Sequence, residues 1–171
     1  MNPAERVFRD RLRESHRVVT SSFQHNTQDH YDFIIDDVRV EFKGPKSVNR
    51  GGPIVAERML IEWQAVLRPE GTPDNAGWVR GKADYIVFDE SDGYLWVKRT
   101  ELEGLVSSVD WMDFSQRGDY SQDYKAFRRA GRDDLFCYVQ RADILALTST
   151  KKSLDMPAGL CYPCISIGDR P

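Results

Sequence analysis

Tyr31–Lys46 reads YDFIIDDVRVEFKGPK. Two short runs rich in Val, Ile and aromatic residues flank Asp36-Asp37, and Gly44-Pro45 closes the second. Runs of this composition, bounded by turn formers, predict a β-hairpin. With Asp36-Asp37 as a two-residue turn, counting outward sets the register: Ile35 opposite Val38, Ile34 opposite Arg39, Phe33 opposite Val40 and Asp32 opposite Glu41. Side chains on a strand alternate between faces. Phe33, Ile35, Val38, Val40 and Phe42 therefore share an apolar face, and Asp32, Glu41 and Lys43 gather on the other.

Carboxylates directly opposite each other repel and weaken a strand pair. A cation or a shared proton between them removes that penalty, and a set of oxygen ligands suits Mg²⁺ or Mn²⁺. Lys43 follows Glu41 by two residues and points the same way, where it could hold a phosphate or orient a water. A plain polar sheet face with a cross-strand Lys–carboxylate pair accounts for the same residues without a ligand.

An Asp, a short hairpin and then Glu-Phe-Lys resembles the D…(D/E)xK signature of the PD-(D/E)xK nuclease superfamily, through Asp32, Glu41 and Lys43. Tyr31 stands where the superfamily often has proline. Downstream, RMLIEWQAV and GWVRGKADYIVFD look like the stretch in small phage-type members where a Glu-bearing strand precedes a Gly-aromatic turn and a KADY strand. The resemblance runs from about Tyr31 to Lys98, with a looser echo at Arg128–Leu135. It implies an α/β fold, a mixed central β-sheet flanked by helices in a restriction-endonuclease-like core, and metal-dependent hydrolysis of DNA. Under it Asp32 and Glu41 bind Mg²⁺ (or Mn²⁺) with the backbone carbonyl of Phe42, and Glu62 completes the acidic set. Lys43 orients the attacking water and balances phosphate charge. A phage setting is implied by the resemblance alone.

The chain has 171 residues, enough for one domain with a proper core. We expect a single domain over 1–171: an N-terminal helix at 3–18, a catalytic core at about 28–110 and a C-terminal elaboration at 111–171. No apolar run approaches membrane-spanning length and MNPAERVFRDRLRESH is charged throughout, so no membrane association and an intracellular, cytoplasmic protein are expected. A net charge of −3 argues mildly against strong nonspecific DNA binding, although a local basic strip would suffice. Three cysteines occur: Cys137, Cys161 and Cys164. Cys161-Tyr-Pro-Cys164 has the spacing of half a zinc site, but no second CxxC accompanies it. No Walker-type or dinucleotide glycine motif is present, which argues against a kinase, NTPase or NAD enzyme.

Taken in order, Asn2-Pro3 starts the helix, with Glu5 and Glu14 as candidate extra acidic residues or simply as a solvated face. Ser21–Gln24 is a candidate short strand, with His25 and His30 flanking a polar loop. Lys46 and Arg50 sit in the glycine-containing loop KSVNRGGP and suit contact with a phosphate chain. Arg58–Leu67 alternates as a strand beside the hairpin, with Glu62 and Gln64 on one face. Lys82 could face the substrate, and Asp84 is expected to be structural. Asp84–Phe88 and Tyr94–Lys98 form a second hairpin around Asp92-Gly93. Thr100 begins a capping box, T-E-L-E. Asp110 to Gln122 is irregular and aromatic, a lid or partner surface. Lys125, Arg128, Arg129 and Arg132 cluster, either to grip DNA or to pair with Asp133 and Asp134. Leu135–Gln140 reads as a strand, Ala142–Leu147 as a helix and the tail after Lys151 as a surface strap. DNA is the expected partner, contacted by Lys46, Arg50, Gln64, Lys82, Arg128 and Arg129; a homodimer that cuts both strands is open. An RNA nuclease and a catalytically silent nuclease-like module that binds DNA or protein are the other readings.

Overall fold

The structure is a computed structural model that describes residues 1–22, 26, 29–44, 57–65, 76–90, 92–115, 122–129 and 131–155. The expectations for Lys46, Arg50, His25, Cys161 and Cys164 lie outside those residues.

The predicted hairpin forms with the predicted register. Strand β2 (Phe33–Ile35) pairs antiparallel with β3 (Val38–Lys43) through Phe33–Val40, Ile34–Arg39 and Ile35–Val38. Asp36 (φ 46°) and Asp37 (φ 72°) both adopt the left-handed conformation that a type I′ turn requires. Aspartate tolerates it because its short polar side chain can bond locally. Asp36 Oδ1 accepts the backbone N–H of Arg17 at 2.9 Å, and Asp36 Oδ2 lies 2.6 Å from His16 Nδ1.

The hairpin is the centre of a six-stranded mixed sheet. Strand β1 (Val18–Thr20) pairs antiparallel with β2, and β3 pairs parallel with β5 (Tyr85–Glu90). Strand β6 (Gly93–Lys98) follows antiparallel, and β9 (Lys151–Ser153) closes the far edge. A second, three-stranded sheet joins β4 (Arg58–Gln64), β8 (Leu135–Gln140) and β7 (Phe127–Arg128). The chain is therefore a mixed α/β protein with few helices: α1 (Pro3–Leu12), α2 (Arg99–Leu105) and α3 (Arg141–Leu145) among the described residues.

Two cores lie on opposite faces of the large sheet. On one, Phe8 and Leu12 of α1 pack against Phe33, Ile35, Val38, Val40, Phe42, Val87 and Trp96, which takes in the whole predicted apolar face of the hairpin. Phe8 alone meets Phe42 at 4.6 Å and Tyr94 edge-on at 4.8 Å. On the other, Ile86, Phe88, Leu95 and Val97 meet Leu102 of α2, Trp78 and the second sheet through Ile61, Cys137 and Val139. The charged face of β3 points to this second side, since Glu41 pairs with Ile86 and Lys43 with Phe88.

Several expectations are corrected. Helix α1 ends at Leu12 rather than 18, because β-branched Val18 and Val19 are drawn into pairing with Ile35 and Ile34. The short strand thus falls at Val18–Thr20, before Ser21. Helix α2 begins at Arg99 with Lys98 as an uncapped N-cap, so Thr100 is inside it. The chain runs straight from β6 into α2, and Arg99 anchors the start instead, donating to the carbonyls of Ala83 and Val79 at 3.0 Å each. Strand β4 exists where predicted but not beside the hairpin: it pairs with β8. Its register shifts between Glu62 and Gln64, leaving Trp63 as the extra residue of a bulge. Glu62 consequently pairs with Phe136 and Gln64 with Leu135, so the two side chains fall on opposite faces rather than one.

Candidate active site

Asp32 sits one residue before β2, beyond the paired ladder, and its N–H donates at 2.8 Å to the carbonyl of Val40, the residue paired with Phe33. Its carboxylate lies beside that of Glu41, whose charge acts on it. Both carboxylates are buried, at 8 % and 5 % exposure. Asp32 Oδ2 accepts the Phe42 N–H at 2.8 Å, and Oδ1 accepts the Asn26 side-chain amide. Glu41 Oε1 accepts Lys43 Nζ, whereas Glu41 Oε2 is buried with no hydrogen-bond partner.

The electrostatics follow from this crowding. Asp32 is pushed up to about 7, first by burial and then by the charge of Glu41; the Phe42 N–H and Lys43 pull the other way and lose. Two carboxylate oxygens facing each other are both acceptors, and neither is satisfied unless one carries a proton or a cation lies between them. Burial works to lower Lys43, but Glu41, through its charge and hydrogen bond, together with Asp32 and Glu62, raises it. Lys43 therefore carries its positive charge at neutral pH. Its Nζ also lies 5.0 Å from the centre of the Trp78 ring.

A cleft of about 470 Å³ opens over the pair, lined among others by Asn2, Glu5, Thr20, Ser21, Asn26, Asp32, Glu41 and Lys43. Glu5 has two roles here. It completes the capping box of α1, with Glu5 Oε2 accepting the Asn2 N–H at 3.0 Å, and its side chain edges the cleft. Glu14 does not line it.

Glu62 reaches the site differently from expectation. It belongs to the second sheet, and its charge acts on both Lys43 and His30. Among the described residues no group of three or more His, Cys, Asp or Glu side chains is gathered as a metal cluster, so Glu62 does not join Asp32 and Glu41. The predicted nucleic-acid contacts are dispersed. Gln64 donates its amide to Asp133 O at 3.0 Å, and Lys82 lies 2.7 Å from Asp29. Arg128 stacks over Phe114 at 4.1 Å, and Arg129 pairs with the fully buried Asp134, whose carboxylate needs a counter-charge. None of these four lines the cleft. Asp84, expected to be structural, is gripped by Arg39 with Nε at 3.0 Å and Nη2 at 2.7 Å.

Sequence reasoning missed three neighbours. Asn26 holds Asp32 from a stretch of sequence with no periodic signal. His30, read from the sequence only as flanking a polar loop, is half-buried with φ 53°, and burial keeps its imidazole below the ordinary range against the charge of Glu62. Trp78 carries Lys43 on its ring. The glycines bracketing GWVRG were the available signal: a Cβ on Gly77 would fall 2.2 Å from Glu62 O, and one on Gly81 would fall 2.6 Å from His30 Cβ.

The donor set fits a hard divalent cation: oxygens only, one of them orphaned, on a pair whose mutual repulsion a cation would remove. No family model, curated protein or solved structure matches the chain.

Proposed function

We propose that the chain is a metal-dependent endonuclease that hydrolyses phosphodiester bonds of DNA. One observation carries the reading: two buried carboxylates press together with an oxygen left unpartnered, beside a lysine held in its charged form. The resemblance of Asp32, Glu41 and Lys43 to the D…(D/E)xK signature agrees with it.

Asp32, Glu41 and the Phe42 carbonyl would hold Mg²⁺ or Mn²⁺. When bound, the ion supplies Lewis-acid stabilisation of the phosphate and a more acidic water. The chain's own residues do the remainder. Asn26 and the Phe42 N–H fix the Asp32 carboxylate in orientation, so little reorganisation is needed on loading. Lys43 offsets charge developing on the phosphate oxygens from a half-buried position where water screens it less. Glu62 adds a smaller effect to those of Glu41 and Asp32 in holding Lys43 protonated. The cleft admits the backbone from the side of Thr20 and Ser21, whose small polar side chains suit contact with phosphates.

The test is cleavage of supercoiled plasmid and of a branched junction with Mg²⁺, Mn²⁺ or EDTA, with Glu41→Ala and Lys43→Ala in parallel. Metal-dependent cutting lost in both variants supports the reading. A folded wild type that cuts neither DNA with either metal overturns it, in favour of an RNA substrate or a non-catalytic binding role.

A further inference from the structure

The geometry points to Trp78 as the positioning residue for Lys43, a seat that keeps the ammonium over the site when its Glu41 ion pair weakens. This rests on the endonuclease reading. In the structure Lys43 Nζ has two anchors, the Glu41 carboxylate and the face of Trp78 at 5.0 Å. A cation drawn to the Asp32–Glu41 pair takes up charge of the same Glu41 carboxylate, whose Oε1 holds Lys43 and whose Oε2 has no hydrogen-bond partner. The Lys43 ion pair is then weakened, and a lysine has a flexible four-carbon stem that favours water over a fixed position. The side chain is already 28 % exposed, so solvent is within reach. The attraction of an ammonium for an indole face remains, and it leaves the N–H donors free to point at a phosphate.

The ring is built to stay put. Trp78 is 5 % exposed and opens a short 3-10 helix, Trp78–Arg80, closed by Gly81 N–H donating to Trp78 O at 3.1 Å. Its ring meets Phe88 edge-on at 6.1 Å, and Phe88 is the residue paired with Lys43 across β3 and β5. Gly77 N–H donates to Trp63 O at 2.8 Å, and the backbone there is so close to Glu62 that any larger residue would collide with it. The second sheet therefore reaches the lysine through this tryptophan.

The experiment compares Trp78→Leu and Trp78→Phe in the wild-type and Lys43→Ala backgrounds, with two readouts. In ¹H–¹³C spectra of the metal-free and Mg²⁺-loaded protein, the Lys43 Hε resonances, assigned by their loss in Lys43→Ala, should be shifted upfield by the ring. The shift should persist with Mg²⁺, survive partly in Trp78→Phe and vanish in Trp78→Leu. In plasmid cleavage, Trp78→Leu should lower kcat about tenfold at unchanged KM, Trp78→Phe should recover most of it, and Trp78→Leu should add nothing to Lys43→Ala. An equal loss of kcat in the Lys43→Ala background, or Lys43 resonances at ordinary positions in the wild type, overturns the proposal. A shifted Lys43 in a protein that cuts no DNA upholds the seat and overturns the catalytic role together with the endonuclease reading.

Discussion

Arg39 and Glu41 are two residues apart on the same strand and the same face, and each meets a carboxylate from another element. Arg39 meets Asp84, which takes the Arg39 N–H, Nε and Nη2 with good geometry. Burial pushes Asp84 up, yet those hydrogen bonds and the guanidinium charge outweigh it and hold the carboxyl below its usual range. Glu41 meets Asp32, which rises to about 7, and one Glu41 oxygen has no donor. The strand thus carries a satisfied ion pair next to an unsatisfied pair of carboxyl groups. A fold that only needed stability had the means to satisfy Glu41 as it satisfied Asp84. Strongly perturbed carboxylates in a cleft mark functional sites more often than structural ones.

The largest effect that would sharpen this contrast is on activity. Lys43→Ala should lower the Mg²⁺-supported cleavage rate by about 10²–10³, the scale for removing one preorganised stabiliser of transition-state charge. Arg39→Ala should leave the rate per folded molecule within about threefold, because its partner is structural. Equal losses in both variants would erase the distinction between the two pairs.

The next effect is on stability against pH. An acid whose folded pKa is raised binds its proton more tightly when folded, so its contribution is full below the unfolded value and is lost as pH rises through the folded one. For Asp32 the window runs from 3.8 to about 7. Metal-free wild type should lose stability relative to Asp32→Asn across that window, by about 4 kcal/mol at most. The comparison with Asp32→Asn removes the opposing contribution of His30, whose lowered pKa favours the folded state as pH rises through 6.5. Urea midpoints at pH 5 and pH 8 in EDTA read the difference, and Mg²⁺ at pH 8 should restore part of it by binding the folded state. A flat difference between the two proteins would mean that the carboxylates do not share a proton.

The contrast also marks where the sequence could be read and where it could not. The hairpin was legible because its turn, its period and its register are local: Asp36-Asp37 fixes the pairing, and alternation assigns Phe33 to one side and Glu41 to the other. Glu41 and Lys43 followed from counting along β3, whereas the Asp32 N–H bonds one residue out of the counted register. The partner sheet of β4 was not legible, because Arg58–Gln64 shows the same alternation whichever strand it pairs with. The bulge at Trp63 was equally hidden, since a single extra residue changes no local propensity while turning Gln64 to the other face. Asn26, His30 and Trp78 reach the site by tertiary packing, the last from a short 3-10 helix. Only the glycines around Trp78 hinted that the backbone there passes close to something.

A smaller effect tests the satisfied pair. Asp84→Asn keeps the shape but removes the charge that holds Arg39. Both side chains are partly exposed, at 42 % for Arg39 and 25 % for Asp84, so solvent compensates for part of the loss. The cost should be about 1–2 kcal/mol in urea unfolding, with no change in the Mg²⁺ dependence of cleavage. A change in metal dependence would place Asp84 in the acidic set and remove the contrast drawn above.

The smallest effect concerns Glu62, which acts on Lys43 from the neighbouring sheet without joining Asp32 and Glu41. Glu62→Gln keeps its size and its strand while removing the charge. Acting only through Lys43, Glu62 should contribute about threefold to the cleavage rate, with an unchanged Mg²⁺ midpoint. A carboxylate that moves in to complete the metal's ligands would behave otherwise: the midpoint would shift to about 10–100-fold higher Mg²⁺. Titrating Mg²⁺ against Glu62→Gln and wild type separates these outcomes. The second would show that the two sheets close on each other when the cation arrives, since the arrangement described keeps Glu62 out of the cluster.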